Sequence, residues 1–490
     1  IGTIFIASSL GESLYGLYGI VLNVIALIGL FRDWGINTAM VRCTAQYRAE
    51  GREAEIRSVV ASGFVFEIIL GLILSFITFA LSGIIATVSA NETMPASTIA
   101  PLIQIASIII LTNGIINAAT AVFTGLERME LNSVMLIGQS VLKTALILLL
   151  VSPIFALGTY GAIAGFIGGT LIAGVIGIAF ILKLYRKLPK PLTKTLDIKA
   201  YIRAMLIFGV PLSIAGFLSS LLASYYVFLL PILNTDFKII GNYTIAMNFV
   251  VLIGFFATPI TTMLFPAYSK LDPEKDHDAF QNVYKYSIKY ASMLVVPVCF
   301  LVMALSVPGI HAIYQDRYAQ APIFLALLSI TYLYTAAGGL STGNLINSQG
   351  QTKYNLKLAI LTAIIGFPLG FMLIYLFGVY GLVAASLTAG LPSLIISLRW
   401  IEKKYRLTVD WGSSARILLS SAITGTVTYL LVTYLTLNSW FELVIGATTF
   451  IVLFVFVALI TKAVTRDDIN NIQIMLSGLG PLGRLSAFLF

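Results

Sequence analysis

The sequence predicts an all-α, polytopic membrane protein with about fourteen transmembrane helices. Three observations lead to this prediction: an apolar composition, apolar stretches that recur along the whole chain, and basic residues confined to alternate loops. Hydrophobic residues make up 58% of the 490 positions and charged residues only 10%, whereas soluble globular proteins carry roughly 25% charged residues. A chain of this composition cannot cover a water-facing surface, so the lipid bilayer is its natural solvent.

Apolar stretches of about twenty residues or more repeat from one end of the chain to the other, and each of these can cross a bilayer once. The first stretch is the exception, because about 30 Å of hydrocarbon needs about twenty residues at 1.5 Å per residue. The predicted spans lie near 1–9, 16–40, 58–88, 99–124, 133–157, 160–183, 201–231, 240–267, 284–307, 320–346, 354–377, 380–400, 414–436 and 441–462.

The distribution of basic residues predicts the orientation of these spans. When alternate loops are assigned to opposite sides, all but two of the 30 Lys and Arg residues fall on one side. Lys238 and Arg317 are the two on the other side. The positive-inside rule assigns the basic side to the cytoplasm, together with both chain ends. The net charge of +9 is therefore explained by topology, and we do not expect a nucleic-acid partner.

An internal repeat divides the spans into two halves. Residues 17–31 align with residues 242–256 at an offset of 225, with pairs that include Tyr18 and Tyr243. A second echo pairs 158–161 with 378–381 at an offset of 220. Span 2 thus matches span 8, so the two halves keep the same membrane orientation and are related by an axis along the membrane normal.

The repeat predicts the domain organisation. It also predicts that the native chain starts upstream of Ile1, because the first helix lacks roughly its first twenty residues compared with its repeat mate. The predicted segments are a first six-helix bundle, a cytoplasmic linker, a second six-helix bundle, two additional transmembrane helices and a cytoplasmic tail, at 1–183, 184–200, 201–402, 403–465 and 466–490.

Two sequence patterns near the N-terminus resemble a known family. Residues 10–18 read LGESLYGLY and residues 33–42 read DWGINTAMVR, and Tyr-Gly pairs recur at 160–161 and 380–381. These patterns resemble the polysaccharide-transporter flippases of the multidrug/oligosaccharidyl-lipid/polysaccharide (MOP) exporter superfamily. The resemblance extends over the whole chain through the number of spans and the two-bundle repeat.

This resemblance implies a transporter that moves an isoprenoid-diphosphate-linked oligosaccharide from the cytoplasmic to the external leaflet of a prokaryotic plasma membrane. Alternating access would carry the headgroup through a central cleft, for cell-surface polysaccharide or glycoprotein assembly. The expected partners are the lipid-linked glycan, membrane lipids and glycan-assembly enzymes. Coupling to H⁺ or Na⁺ stays open, and no cofactor is expected.

Basic residues are the candidates for holding a diphosphate, because a guanidinium can donate two parallel hydrogen bonds to phosphate oxygens. Arg32, Arg42 and Arg203 lie near the predicted inner mouth. Lys143 lies in a predicted span. For Arg32 the alternative is a mark of the helix end, and for Lys143 it is a side chain that snorkels to the interface.

Glu67 and Asp33 are the candidates for ion coupling. A charged residue inside a span costs about 2.5–3.5 kcal/mol on insertion scales, so Glu67 must face protein or water. Its alternative role is a buried ion pair or a protonated packing residue. The repeat mates Asn23 and Asn248, and Asn113, could bond sugar hydroxyls or equally a neighbouring helix.

Motifs for other chemistries are absent or misplaced. Cys43 and Cys299 are far apart, and neither they nor the isolated histidines have metal-ligand spacing. Residues 478–483 match G-x-G-x-x-G but follow no predicted strand, and no P-loop occurs. We therefore predict a protein that is not an enzyme and binds no metal. Gly161, Gly165 and Gly169 form overlapping G-x-x-x-G patterns that predict close helix packing.

Two alternative functions remain. The sister branch of the superfamily contains ion-coupled multidrug exporters, which need an acidic cleft, whereas Glu67 is the one well-embedded carboxylate in this basic chain. A non-transporting membrane scaffold is the other, but broken helices and embedded polar residues are not expected in it.

Overall fold

In the computed structural model of the chain, which describes residues 2–189, 197–435, 437–465 and 468, no strand occurs in these ranges. The α-helices, α1 to α17 in chain order, span Gly2–Gly29, Ile36–Ala49, Glu53–Ser89, Ala96–Ala106, Ile108–Gly125, Met129–Val151, Gly158–Lys187, Ile198–Ile232, Phe237–Ser269, His277–Ala304, Ser306–Tyr314, Ala321–Ser329, Gly339–Ser348, Thr352–Thr388, Leu391–Tyr405, Trp411–Tyr434 and Ser439–Ile460. Two 3₁₀ segments, Gln315–Tyr318 and Ile330–Ala337, precede α12 and α13.

Within these described ranges, eleven helical stretches are long and apolar enough to cross a membrane. A bent pair, Ala321–Ala337 with Gly339–Ser348, raises the number to twelve if it forms one span. The all-helical membrane class is confirmed, but the predicted count of fourteen is not. One reason is that Thr352–Tyr405 counts as one stretch of 54 residues, although its helix is interrupted at Gly378, between the two spans that the sequence predicts there.

The predicted continuous span over 16–40 is wrong. Helix α1 ends at Gly29 and α2 begins at Ile36, so Arg32 and Asp33 lie in a turn rather than inside a helix. Gly35 precedes α2 with a φ of 81°. Residues other than glycine adopt this left-handed conformation only with strain. The turn breaks the helix although the surrounding residues are apolar.

The chain forms two compact units. The first comprises Ile1–Ile245, Arg317–Gln320 and Thr352–Ser393. The second comprises Ala246–Asp316, Ala321–Gln351 and Leu394–Phe490. The division into six, six and two helices stays a prediction.

The predicted linker and tail are described only in part. Helix α7 continues to Lys187 and α8 begins at Ile198, at the two ends of the predicted linker 184–200. Residues 190–196 of this linker lie outside the described residues, as does the predicted tail 466–490 apart from Asp468.

The G-x-x-x-G prediction for α7 is confirmed. A methyl group added at Gly165 would come within 2.7 Å of the backbone nitrogen of Ile147. One added at Gly169 would come within 2.5 Å of the Cα of Lys143, and Gly161 is equally closely packed. The three glycines therefore let α6 and α7 approach backbone to backbone.

A reciprocal helix crossing inside the first unit supports the repeat. A Cβ added to Gly16 of α1 would overlap the carbonyl oxygen of Phe237, and one added to Gly241 of α9 would overlap that of Glu12. Gly16 and Gly241 are separated by 225 positions, and so are Glu12 and Phe237. Reciprocal contacts of this kind are what a two-fold relation between equivalent segments produces.

Candidate functional site

The turn between α1 and α2 directs two neighbouring charged side chains to different environments. The Asp33 Oδ1 atom accepts a hydrogen bond of 2.9 Å from the backbone nitrogen of Gly35, and the indole nitrogen of Trp34 donates to the carbonyl of Phe31. The backbone of Gly35 touches that of Gly209 on α8, with no room for a Cβ on either residue. The turn is therefore held both by its own hydrogen bonds and by α8.

Arg32 and Glu67 form a buried ion pair in the first unit. The Arg32 Nε atom lies 2.7 Å from Glu67 Oε2, with side-chain exposures of 6% and 0%. Arg32 also donates to the carbonyl of Ile110 at 2.9 Å. The second carboxylate oxygen of Glu67 accepts a hydrogen bond of 2.7 Å from the Asn37 amide. Both oxygens of Glu67 are thus satisfied, as a buried carboxylate requires.

Gly114 on α5 makes room for this pair. A Cβ at Gly114 would lie 2.9 Å from Arg32 Cδ and 3.0 Å from Glu67 Oε2. The turn, α3 and α5 therefore meet at one point. Sequence reasoning singled out Arg32 and Glu67 separately but missed Gly114 and Asn37, although Asn37 lies inside the DWGINTAMVR pattern.

A cavity of about 490 Å³, which we call the polar cavity because seven of its ten lining residues are polar or charged, adjoins the buried pair. The exposed Arg42 side chain lies in its wall, with its guanidinium carbon 4.0 Å from the centroid of the Phe208 ring. Asn37 connects the cavity to Glu67, and its own Oδ1 is buried without a hydrogen-bond partner among the described residues. The lining residues come from the turn, α2, α5 and α8: Asp33, Asn37, Thr38, Val41, Arg42, Asn117, Thr120, Ala121, Thr124 and Phe208.

A smaller apolar cavity of about 200 Å³ lies on the other side of Asp33. Its walls are the turn between α1 and α2 and one face of α8. Asp33 lines both cavities. The lining residues are Leu30, Asp33, Trp34, Val210, Ser213, Ile214, Phe217 and Leu218.

The other predicted site residues lie elsewhere. The Asn23 amide donates 3.0 Å to the carbonyl of Ser224 on α8, so it bonds a neighbouring helix. The Lys143 ammonium lies 5.0 Å from the centre of the Phe166 ring. Arg203 is exposed on α8, Asn113 is half-buried on α5, and Asn248 is exposed in the second unit.

These last three residues are absent from the described walls of both cavities. The structure therefore brings together Arg32 with Glu67, and Arg42 with Asp33, but not the remaining candidates. No group of three or more His, Cys, Asp or Glu residues that could hold a metal ion occurs in the described part of the chain.

Comparison with known proteins decides the family. A family model described as "Polysaccharide biosynthesis protein" matches residues 1–272, which is more than half of the chain. The chain belongs to the polysaccharide biosynthesis protein family. A curated relative, the "Uncharacterized membrane protein MJ1068" of Methanocaldococcus jannaschii, is 21% identical over 373 residues, or 75% of this chain and 73% of the relative.

Solved structures show the fold of this family member. It is similar to the lipid II flippase MurJ in an inward closed conformation, with a TM-score of 0.69 and 17% identity over 94% of this chain and 96% of that one. It is also similar to an inward-facing multidrug resistance MATE family transporter of the MOP superfamily, with a TM-score of 0.69 and 15% identity over 83% and 93%. These likenesses confirm the predicted all-helical transporter fold, which a MOP superfamily transporter also has.

In this polysaccharide biosynthesis protein, the polar cavity offers one guanidinium, one carboxylate, two amides and three hydroxyl groups. Such a set can bind a phosphate through Arg42 and sugar hydroxyls through the amides and threonines. The adjoining ion pair keeps Arg32 engaged with Glu67, so Arg42 is the accessible cation of this cavity wall.

Proposed function

We propose that this protein moves an isoprenoid-diphosphate-linked oligosaccharide from the cytoplasmic to the external leaflet by alternating access. The family membership supports a role in polysaccharide biosynthesis, and the fold is that of transporters in the MOP superfamily. The same proposal includes a cytoplasmic C-terminus, a prokaryotic plasma membrane and cooperation with glycan-assembly enzymes.

The observation that carries the proposal is the polar cavity next to the Arg32–Glu67 pair. Arg42 is the proposed contact for the diphosphate, because it lines the cavity while Arg32 is buried. Asn37, Asn117 and the threonines are the proposed contacts for sugar hydroxyls. A volume of about 490 Å³ is within the 300–1,000 Å³ typical of small-ligand sites, so only the phosphates and the first sugars would enter.

Glu67 and Asp33 remain the proposed residues for ion coupling. Protonation of Glu67 would weaken its ion pair with Arg32 and its hydrogen bond from Asn37, which lines the cavity. This geometry links the charge state of a buried carboxylate to the shape of the proposed binding wall. Asn23, Asn113, Asn248, Lys143 and Arg203 are proposed only as contacts made in other steps of transport.

A second candidate function is ion-coupled export of small amphiphilic cations. It is favoured by Asp33, which lines both the polar and the apolar cavity. A cationic group beside this carboxylate could place its apolar part in the neighbouring cavity of about 200 Å³.

The test compares Arg42→Gln with Arg128→Gln in cells that lack the chromosomal gene. Arg128 is an exposed arginine outside both cavity walls. The amount of lipid-linked glycan on the external leaflet is measured with a membrane-impermeant label. Loss of one charge-assisted hydrogen-bonding group of about 1.5–3 kcal/mol predicts at least about a tenfold lower transport rate for Arg42→Gln and a normal rate for Arg128→Gln.

Normal external glycan in cells without the protein would refute the flippase proposal. If these cells also accumulate cationic dyes, and Asp33→Asn reproduces that accumulation, the second candidate function is supported instead. Equal loss of protein from the membrane in both arginine variants would indicate a folding defect, so membrane abundance is measured alongside.

A further inference from the structure

An apolar groove lies between α3 and α7, away from both the polar and the apolar cavity. It has a volume of about 290 Å³, and its lining side chains come from 60–68 of α3 and 178–185 of α7. Every lining residue is Val, Ala, Phe, Ile or Leu, apart from Tyr185 at one end. The groove therefore offers no site for a sugar or another polar ligand.

The surroundings of the groove indicate a hydrocarbon occupant. Both α3 and α7 are candidate membrane spans. Large apolar side chains near the groove are exposed, including Ile69 at 53% and Leu182 at 49%. Side chains of this kind face lipid in a membrane-spanning helix, so the phase next to the groove is the acyl-chain region.

A cationic residue, Arg57, lies at one end of the groove. Arg57 lies four residues before Ala61 on α3, so it continues the groove-lining face of the helix. Its guanidinium carbon lies 4.2 Å from the centroid of the Tyr185 ring. Its Nη1 donates a long hydrogen bond of 3.4 Å to the Leu188 carbonyl, the one hydrogen bond of this side chain in the described part of the chain.

The positions of these residues correspond to the headgroup level of a bilayer. Arg57 is four residues, or about 6 Å, from the first residue of α3, and Tyr185 is two residues from the end of α7. Arg186 is exposed next to Tyr185, one turn beyond the lining residue Leu182. Two carboxylates of α3, Glu53 and Glu55, precede Arg57. Glu55 pairs with Arg52, and the described residues contain no ion pair between Arg57 and either carboxylate.

We propose that the groove between α3 and α7 binds an anionic membrane phospholipid, with one hydrocarbon chain in the groove and its phosphate against Arg57 and Arg186. Basic pockets at the cytoplasmic ends of transmembrane helices recognise anionic lipid headgroups in this way. Arg57 keeps further N–H donors for the phosphate, because a guanidinium has five. This site is separate from the polar cavity and does not depend on the proposed transport function.

The experiment uses the purified full-length chain in detergent micelles and counts bound lipid by native mass spectrometry. The probes are dioleoylphosphatidylglycerol and dioleoylphosphatidylcholine, which share their chains and differ in charge. The wild type is expected to retain the anionic lipid at about thirtyfold lower concentration than the zwitterionic lipid, given about 1 kcal/mol for each of the two cations near the headgroup. Arg57→Gln should lower this preference to about fivefold, because Arg186 remains, and Arg57→Lys should keep more of it.

Two further variants test the groove itself. Ala61→Phe fills the groove without changing charge and should lower the retention of both lipids. Lys183→Gln removes an exposed cation at the same level of α7, on a face that does not line the groove, and should leave the preference unchanged. Thermal unfolding is recorded for each variant, so that Val65→Phe replaces Ala61→Phe if the latter does not fold.

The proposal is overturned if the wild type binds both lipids equally, or if Lys183→Gln and Arg57→Gln have the same effect. It is also overturned if undecaprenyl phosphate displaces the phospholipid at equimolar concentration, because the groove would then belong to the carrier lipid of the transported glycan.

Discussion

At the scale of single residues, the ion pair between Arg32 and Glu67 is the most informative contact, because it keeps the Arg32 side chain out of the wall of the polar cavity. Arg32 and Glu67 are 35 positions apart in the chain, yet their charged groups lie 2.7 Å from each other. The sequence identified both as charges in an apolar setting, which predicts a partner for each but does not name it. The structure supplies the partner and shows that Asn37 and Gly114 belong to the same cluster.

Removing one member of this pair is expected to be costly. Arg32→Met or Glu67→Leu should each lower the free energy of unfolding by about 3–5 kcal/mol, because a buried charge loses its partner. The double variant Arg32→Met with Glu67→Leu should be less destabilised than either single variant. The measurement is a double-mutant cycle by chemical or thermal unfolding in detergent.

The exposed pair Arg48–Glu127, with side-chain exposures of 45% and 80%, is the control for that cycle. Its single replacements should change the free energy of unfolding by less than about 1 kcal/mol. Additive effects of the Arg32 and Glu67 replacements would contradict a direct interaction between them.

At the scale of helices, one face of α10 holds the C-terminal part of the second unit. Gln281, Lys285 and Lys289 are spaced four residues apart and therefore lie on one face of the helix. Gln281 exchanges two hydrogen bonds of 3.1 Å with the backbone of Thr408. Lys285 Nζ lies 3.4 Å from Asp410, the residue before α16. The connection is thus made by side chains rather than by helix packing alone.

The contact between Lys289 and Asp468 is the shortest that this face of α10 makes with the C-terminal part. Lys289 Nζ lies 2.6 Å from Asp468 Oδ2, with side-chain exposures of 10% and 1%. Thr465 donates its backbone N–H and its hydroxyl to the same oxygen. Partial burial raises the pKa of Asp468, but the hydrogen bonds from Lys289 and Thr465 outweigh it and hold the pKa below its usual value.

Asp468→Asn should therefore destabilise the protein in a pH-dependent manner. A lowered pKa in the folded state stabilises the fold above the unfolded-state pKa of about 3.9, and this contribution is lost as the pH falls through the folded-state pKa. The difference in unfolding temperature between wild type and Asp468→Asn should be full at pH 6 and should close on acidification below about pH 4.

Asp410→Asn serves as the comparison, since the Lys285–Asp410 pair is more exposed and should contribute less at pH 6. A gap for Asp468→Asn that is constant with pH would show that the ion pair does not provide the stabilisation.

At the scale of the whole molecule, the distribution of charge predicts how the protein sits in the membrane. Glu92 lies in the loop between α3 and α4, and Glu274 lies between α9 and α10; both are exposed. In a background with Cys43→Ser and Cys299→Ser, Glu92→Cys should react with an impermeant maleimide in intact cells. Glu274→Cys should react only after permeabilisation.

The reverse labelling pattern would contradict the predicted orientation, including the cytoplasmic C-terminus. Labelling of both positions in intact cells would indicate leaky membranes, so a cytoplasmic marker protein is labelled in parallel.

The glycines illustrate which predictions a sequence can support. The G-x-x-x-G pattern of α7 predicted close packing, which the structure confirms against α6, because small residues at this spacing form one face of a helix. The close contact of Gly35 with Gly209 carried no such signal. Each glycine alone is unremarkable, and only folding brings the two backbones together.

The sequence by itself determined the membrane class, the all-helical fold and the family, because composition, hydropathy and local motifs are properties of short segments. The tertiary structure decided where the helices break, which charges pair and which polar residues share a cavity. The turn at 30–35 is an example: its apolar neighbours predict a continuous helix, but contacts with α8 and with Glu67, far away in the chain, stabilise the break. Such contacts depend on the spatial distances between segments that are remote in sequence. Hydropathy and residue spacing are local properties and carry no information about these distances.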